Sequence, residues 1–238
     1  MSTTTAATPS SSGVTRTSVF WGGLWRTAGV QSVALFLVAY VTYGSQPHLG
    51  ASADTLVALY NAGHLRMLIA AVLAGLAVLN LMWFAAAIRT TLVDAGQDGW
   101  GAAATASSAA LGSLLILLIS VGAALAYSGG AADATAFASR VNDFAWACGV
   151  MSSFPRAMLV MAPTFGLWRA RLISNLTFAA GVSVVVLVLL GGTTWASDGL
   201  WAPDGVYSRV VSPVLGLLWI LVVTAVLLNR TPPPRVGW

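Results

Sequence analysis

One charged side chain lies deep inside a long apolar run of this sequence. Arg156 follows Pro155 in the apolar segment 144–168 and stands twelve residues from either end of it. If that segment is a helix across a bilayer, the Cα atom of Arg156 lies roughly 18 Å from each face, at about 1.5 Å per residue. Insertion scales assign a central arginine a cost of at least about 2.5–3.5 kcal/mol. The sequence therefore predicts that Arg156 has polar partners inside the protein or holds an anion.

Polar side chains at a similar depth in other apolar segments are the candidate partners of Arg156. Counting residues along each predicted helix gives a polar layer at mid-depth. The layer consists of Asn80, Ser113, Ser152, Arg156, Ser183 and Thr224. Within it, we predict a binding site formed by Arg156, Asn80, Ser152 and Ser113. Pro155 adds a backbone acceptor, because its ring blocks the hydrogen bond to the carbonyl of Met151 and bends the helix.

Three roles are open for Arg156 at this point. It can hold a bent bundle together by bonding backbone carbonyls and Asn80. It can instead bind an anion, such as a lipid headgroup or a substrate carboxylate. In the third case the helix is broken at Pro155 and the guanidinium reaches water. The closest acid in sequence, Asp143, lies about 19 Å away along the same helix, so an anion from outside the chain would complete the pairing.

Residues suited to other chemistry are sparse. The chain contains no lysine and no glutamate, which excludes a Schiff-base lysine, a P-loop lysine and an HExxH metal-binding helix. Cys148 is the single cysteine, so neither a disulfide nor a cysteine zinc site is expected. His48 and His64 are predicted in one loop, whereas a membrane b-type haem needs histidines that face each other within the bilayer. We therefore predict no catalytic residue, no metal site and no cofactor.

The elements that position Arg156 are six apolar segments. The 238 residues are 58% hydrophobic and 8% charged, far from the roughly 25% charged residues of soluble domains. We predict an all-α, polytopic membrane bundle of six transmembrane helices. The spans fall at about 27–44, 67–88, 103–126, 144–168, 172–194 and 210–228. Around this domain, 18–230, we predict a disordered Ser/Thr-rich tail at 1–17 and a Pro-rich tail at 231–238, with residues 54–60 lying along the outer interface.

The placement of arginine predicts the direction of the bundle. With the N-terminus inside, seven arginines lie on the inner side and three on the outer side, leaving out Arg156. Such a bias obeys the positive-inside rule. The sequence therefore predicts that both termini are cytoplasmic, in a multi-pass protein of the bacterial cytoplasmic (inner) membrane.

Several segments occur in a familiar order. DTLVALYNAGHLRM leads into a span that ends in WFAAAIRTTL, and FPRAMLVMAPTFGLWRARLISNLTFAAGV is followed by a last helix with an LLNR exit. In these features the chain resembles a broad group of uncharacterised six-helix integral membrane proteins of high-GC, actinobacterial-type bacteria. The resemblance covers most of residues 27–230. It implies a six-helix bundle, and it implies neither an activity nor site residues.

Three functions are compatible with this sequence. The favoured one is a non-enzymatic accessory subunit, or a binder of a lipid or apolar small molecule within the helix bundle. The second is a small transporter or channel organised around the Arg156 layer, and the third is a membrane-embedded enzyme or haem protein. The predicted spans contain no acid for ion coupling and no cluster of acids or histidines, which disfavours the latter two. The expected partners are membrane lipids, with another membrane subunit or a homo-oligomer left open, and no nucleic acid.

Overall fold

The described part of the chain is helical, with connecting loops. The structure is a computed structural model that describes residues 14–44, 46–128 and 135–229, and it gives side-chain surroundings for 27–44, 46–127 and 138–229. Seven α-helices follow one another within these ranges. They are α1 (Val14–Tyr43), α2 (Ala53–Asp94), α3 (Asp98–Ser128), α4 (Thr135–Met151), α5 (Ser153–Arg169), α6 (Asn175–Leu190) and α7 (Ser212–Leu228). The predicted all-α class is confirmed for these residues.

Five helical segments are long and apolar enough to cross a membrane. They are Ala53–Asp94, Asp98–Tyr127, Ala138–Arg169, Asn175–Thr193 and Tyr207–Leu228. The segment predicted as the first span, 27–44, forms a shorter apolar helix at Thr27–Tyr43. Helix α1 as a whole begins at Val14, inside the predicted N-terminal tail, while residues 1–13 of that tail and the C-terminal tail at 231–238 lie outside the described residues.

Helix α2 is much longer than the predicted span 67–88. It begins at Ala53, where the Ser52 hydroxyl caps it by accepting a hydrogen bond from the backbone N–H of Thr55 at 3.3 Å. Residues 54–60, which were predicted to lie along the outer interface, are the first two turns of α2. Leu56 is fully buried there, in a cluster with Met67 and Leu125. The helix continues because the connecting residues 61–66 contain no proline and leave the apolar face unbroken.

The predicted fourth span, 144–168, lies within one apolar segment, Ala138–Arg169, in which α4 and α5 meet at Ser152. Ser152 keeps helical angles, φ −61° and ψ −15°, and its backbone N–H donates to the carbonyl of Cys148. The interruption is local, because Pro155 has no N–H to donate to the carbonyl of Met151. Arg156 therefore lies in the first turn of α5, at mid-bundle.

The helices pack as an up-and-down bundle with two distinct ends. Helix α2 lies along α1 and α3, α5 lies along α3 and α6, and α7 contacts α1, α5 and α6. One end carries the connections 46–52 and 191–206, and we call it the long-loop end. The other end carries the short turns 95–97 and 170–174, and we call it the short-loop end. Most of the buried apolar side chains form one core that includes Phe84, Leu159 and Trp219.

Candidate functional site

A large cavity lies between the helices. Its volume is about 570 Å³, and its walls come from α1, α2, α3, α4, α5 and α7. Most of the wall is aliphatic and aromatic. Along α2 the lining runs from Tyr60 to Phe84, which corresponds to roughly 36 Å of helix. The cavity is therefore elongated along the bundle axis and suited to an apolar chain.

Arg156 is part of the wall of this cavity, where it is held by two hydroxyl groups. Its Nη2 donates a hydrogen bond to Ser152 Oγ at 2.7 Å, and its Nη1 donates to Ser212 Oγ at 3.3 Å. The Ser152 hydroxyl in turn donates to the carbonyl of Gly149 at 2.6 Å. Both partners are neutral. Since a guanidinium has five N–H donors, these bonds orient Arg156 without neutralising its charge.

Helix α7 provides the far side of the Arg156 site. Ser212 is fully buried, and Gly216 lies one turn further along the same face. A Cβ atom added at Gly216 would lie 3.1 Å from Cδ of Arg156, so the arginine stem rests directly on the α7 backbone. Gly191 makes a similar close approach, because an added Cβ would come 2.6 Å from Ser212 Oγ. Small residues thus let α5, α7 and the 191–193 turn converge around the guanidinium.

The structure brings together some members of the predicted polar layer and separates others. Ser152 contacts Arg156, as just described. Asn80 donates to the carbonyl of Leu76 at 2.9 Å, and Ser113 donates to the carbonyl of Ala109 at 2.9 Å, each on its own helix. Ser183 and Thr224 likewise bond carbonyls one turn earlier. The contacts predicted for Arg156, with Asn80 or with the Met151 carbonyl, are wrong, since it bonds Ser152 and Ser212 instead.

The separation has a simple physical reason. A serine, threonine or asparagine within an apolar helix can satisfy its polar group on the carbonyl one turn earlier, without any partner from another helix. Depth alone therefore does not predict contact. Asn80 is only half satisfied in this way, because its Oδ1 is buried and has no hydrogen-bond partner among the described residues.

Arg209, one of the three arginines predicted on the outer side of the membrane, also lines the cavity. It lies in a short π-helical turn, Tyr207–Val211, that leads into α7. Tyr207 fixes this turn, because its hydroxyl donates to the carbonyl of Leu187 on α6 at 2.8 Å. A stripe with spacings of three and four residues, Arg209, Ser212 and Gly216, is the sequence signal that could have identified this wall.

The loop 46–52 lies across the long-loop end of the cavity and is held there by hydrogen bonds. Gln46 and Pro47 line the cavity, and the Pro47 carbonyl accepts a hydrogen bond from the indole N–H of Trp146 at 3.1 Å. The Asn142 amide donates to the carbonyl of His48 at 2.9 Å. Trp146 and Asn142 also belong to the cavity wall. The loop therefore helps to close the cavity at this end.

Two aspartates complete the fastening of this loop. Asp143 Oδ1 accepts from the backbone N–H of Gly50 at 2.8 Å, and Asp204 Oδ2 accepts from the backbone N–H of Leu49 at 3.1 Å. His48 Nδ1 lies 3.4 Å from Asp204 Oδ2. This is the one contact between a basic and an acidic side chain within the described ranges. Asp143 and Asp204 thus accept hydrogen bonds from the loop 46–52 and not from Arg156 or Arg209.

Neither histidine has the setting of a metal or haem ligand. His48 pairs with Asp204 in the loop, and His64 lies within α2, where its Nδ1 is 2.7 Å from the carbonyl oxygen of Ala126. His64 therefore lies within a helix and not in the predicted loop. Among the described residues there is no group of three or more histidine, cysteine, aspartate or glutamate side chains that could hold a metal ion.

No protein-family model, curated protein or solved structure matches this chain.

Proposed function

We propose that this protein is a non-enzymatic integral membrane protein that binds an apolar molecule with the dimensions of a lipid chain between its helices. The single observation that carries the proposal is the elongated cavity of about 570 Å³ with its apolar wall. Sites for small molecules typically occupy about 300–1,000 Å³ and are lined mainly by apolar side chains with a few placed polar groups. The cavity meets both conditions.

The chemistry of the wall supports binding over catalysis. The ionisable side chains on the described wall are tyrosines and arginines. Tyr43 and Tyr60 pair with each other, with their hydroxyl oxygens 3.1 Å apart. Arg156 is oriented by two neutral hydroxyls and keeps its charge available to a ligand. A set of this kind holds and orients a molecule, whereas acid–base chemistry calls for a donor and an acceptor with separated proton affinities.

The same proposal includes the finer membrane architecture. We place six spans across the bacterial cytoplasmic membrane, with both termini inside. The shorter apolar helix Thr27–Tyr43 counts as the sixth span, because α1 packs along α2 and so lies in the same layer as the other spans. Its 17 residues correspond to roughly 26 Å, close to the thickness of a hydrocarbon core once a modest local thinning is allowed. The seven-to-three arginine bias supports the direction.

A pair of glycine variants tests the proposal. Gly149 lines the cavity and has no atom within 4 Å of an added Cβ, so Gly149→Phe places a ring in the cavity without a backbone clash. Gly75 has equally open surroundings, but it does not line the cavity, so Gly75→Phe is the matched control. Binding of the neutral apolar dye N-phenyl-1-naphthylamine to purified protein is then titrated by fluorescence.

We expect saturable one-to-one dye binding to the wild type and to Gly75→Phe, and at least a roughly tenfold weaker affinity in Gly149→Phe, because the ring takes the place of the ligand. Equal binding by all three proteins, or no saturable binding to the wild type, would contradict a chain-binding role for the cavity.

A further inference from the structure

Two positively charged side chains, Arg156 and Arg209, line the cavity. Arg209 precedes Ser212 by three residues in the chain, and Ser212 is hydrogen-bonded to Arg156. Ser208, Arg209, Gly216 and Arg156 all belong to the same wall. The turn Tyr207–Val211 is π-helical, a geometry that occurs often at functional sites.

The two arginines have no acidic partner in the part of the chain that the structure describes. The one contact there between a basic and an acidic side chain joins His48 and Asp204, and no aspartate belongs to the described cavity wall. Arg209 makes no side-chain hydrogen bond to another described residue, and Arg156 bonds only hydroxyls. A bound anion would offset the cost of keeping these unpaired charges away from water.

We infer that Arg156 and Arg209 together bind the phosphate monoester head of a single-chain lipid whose chain occupies the apolar length of the cavity. This inference rests on the proposed function, since it names the ligand class for the same cavity. A phosphate monoester carries about −1.5 to −2 charge at neutral pH, which matches two arginines better than the single charge of a carboxylate does. Arginine is also the side chain best shaped for two-point contact with phosphate oxygens.

The length of the cavity suits a lipid chain. The lining along α2, from Tyr60 to Phe84, spans roughly 36 Å, which accommodates one acyl-length chain. The head would lie at Arg156 and Arg209, and the chain would lie along the apolar part of the wall.

The test compares heads on an identical chain. Dodecyl phosphate, dodecanoate and dodecanol are titrated at pH 8 against wild type in neutral detergent, with displacement of N-phenyl-1-naphthylamine and the rise in melting temperature as parallel readouts. Inorganic phosphate is the fourth arm and distinguishes free phosphate from a lipid head. Arg209→Gln and Arg156→Gln are compared with Arg140→Gln, an exposed arginine on α4 that does not line the cavity.

We expect dodecyl phosphate to bind roughly tenfold more tightly than dodecanoate and more tightly still than dodecanol, as two charge-assisted contacts predict. Arg209→Gln should abolish the preference for phosphate over carboxylate, and Arg140→Gln should retain it. If Arg156→Gln does not fold, the comparison of Arg209→Gln with Arg140→Gln tests the inference alone. Arg209 precedes α7, so we expect its substitution to be tolerated by the fold.

Three results would overturn the inference: equal affinity for the phosphate and the alcohol, equal loss in Arg140→Gln, or inorganic phosphate competing at the same concentration as dodecyl phosphate. The two proposals fail separately. Saturable dye binding without a head preference retains the chain-binding role and rejects the phosphate site. An Arg209-dependent rise in melting temperature with dodecyl phosphate, in a protein that does not bind the dye, retains the phosphate site and rejects a general apolar-chain role.

Discussion

Arg156 on α5 donates a hydrogen bond to Ser212 on α7, with 3.3 Å between Nη1 and Oγ. These two residues, 56 positions apart in sequence, thus form a partly buried polar contact between two helices. The contact fixes the guanidinium at the wall of the cavity. It also leaves the charge unneutralised, because a hydroxyl is neutral. The two hydroxyls offset part of the cost of burying the guanidinium, and in our proposal a bound anion offsets the rest.

Removing the Ser212 hydroxyl should destabilise the protein. Ser212→Ala leaves one Arg156 N–H without its partner in a buried setting, for which a cost of about 1–3 kcal/mol is typical. Ser183→Ala is the matched control, because Ser183 is exposed and bonds only its own helix. The measurement is thermal unfolding in detergent, followed by circular dichroism. Equal melting temperatures for the two variants would show that the Ser212 contact contributes no stability.

A methyl group at Gly216 should disturb Arg156 more than it helps the helix. Alanine in place of glycine favours a helix by roughly 0.5–1 kcal/mol. At Gly216, however, the new Cβ would lie 3.1 Å from Arg156 Cδ, so the arginine stem must move. Gly75→Ala has open space and should raise the melting temperature, while Gly216→Ala should lower it or leave it unchanged. A rise of the same size in both would contradict close packing of Arg156 on α7.

The direction of the bundle gives a third prediction. Reporter fusions after Asp98, at the short-loop end, should read as cytoplasmic, and fusions after Asp198, at the long-loop end, should read as external, because most arginines lie at the short-loop end and the termini. Alkaline phosphatase and green fluorescent protein report the two compartments. The opposite pair of readings would invert the topology, and identical readings at both sites would reject the number of spans between them.

The helical class could be predicted from the sequence, because it depends on local composition. Ser152, predicted in the same binding site as Arg156, lies one turn before it, the spacing of the observed hydrogen bond. The interruption of the helix at Ser152 was harder to predict from the sequence. A proline indicates that a helix bends nearby, but whether it lies inside a kink or in the first turn of a new helix depends on packing around it.

The rest of the site depends on contacts between helices that no single segment records. Asn80 and Ser113 bond their own helices, because the rotation of a helix about its axis decides which neighbour a side chain faces. Arg209 and Ser212 were missed for the complementary reason. Each resembles the ordinary end of a span in the sequence, and only the approach of α7 to α5 brings Ser212 into contact with Arg156.

The occupant of the cavity is the direct test of the chain-binding account. The protein should be extracted with its surrounding lipid by an amphipathic copolymer, without detergent, and its structure determined by electron cryomicroscopy at a resolution that shows side chains. We predict continuous density for one chain along the cavity, with its polar end at Arg156 and Arg209. A well-resolved cavity that holds only isolated waters, or walls collapsed onto each other with Arg156 facing lipid, would contradict the account.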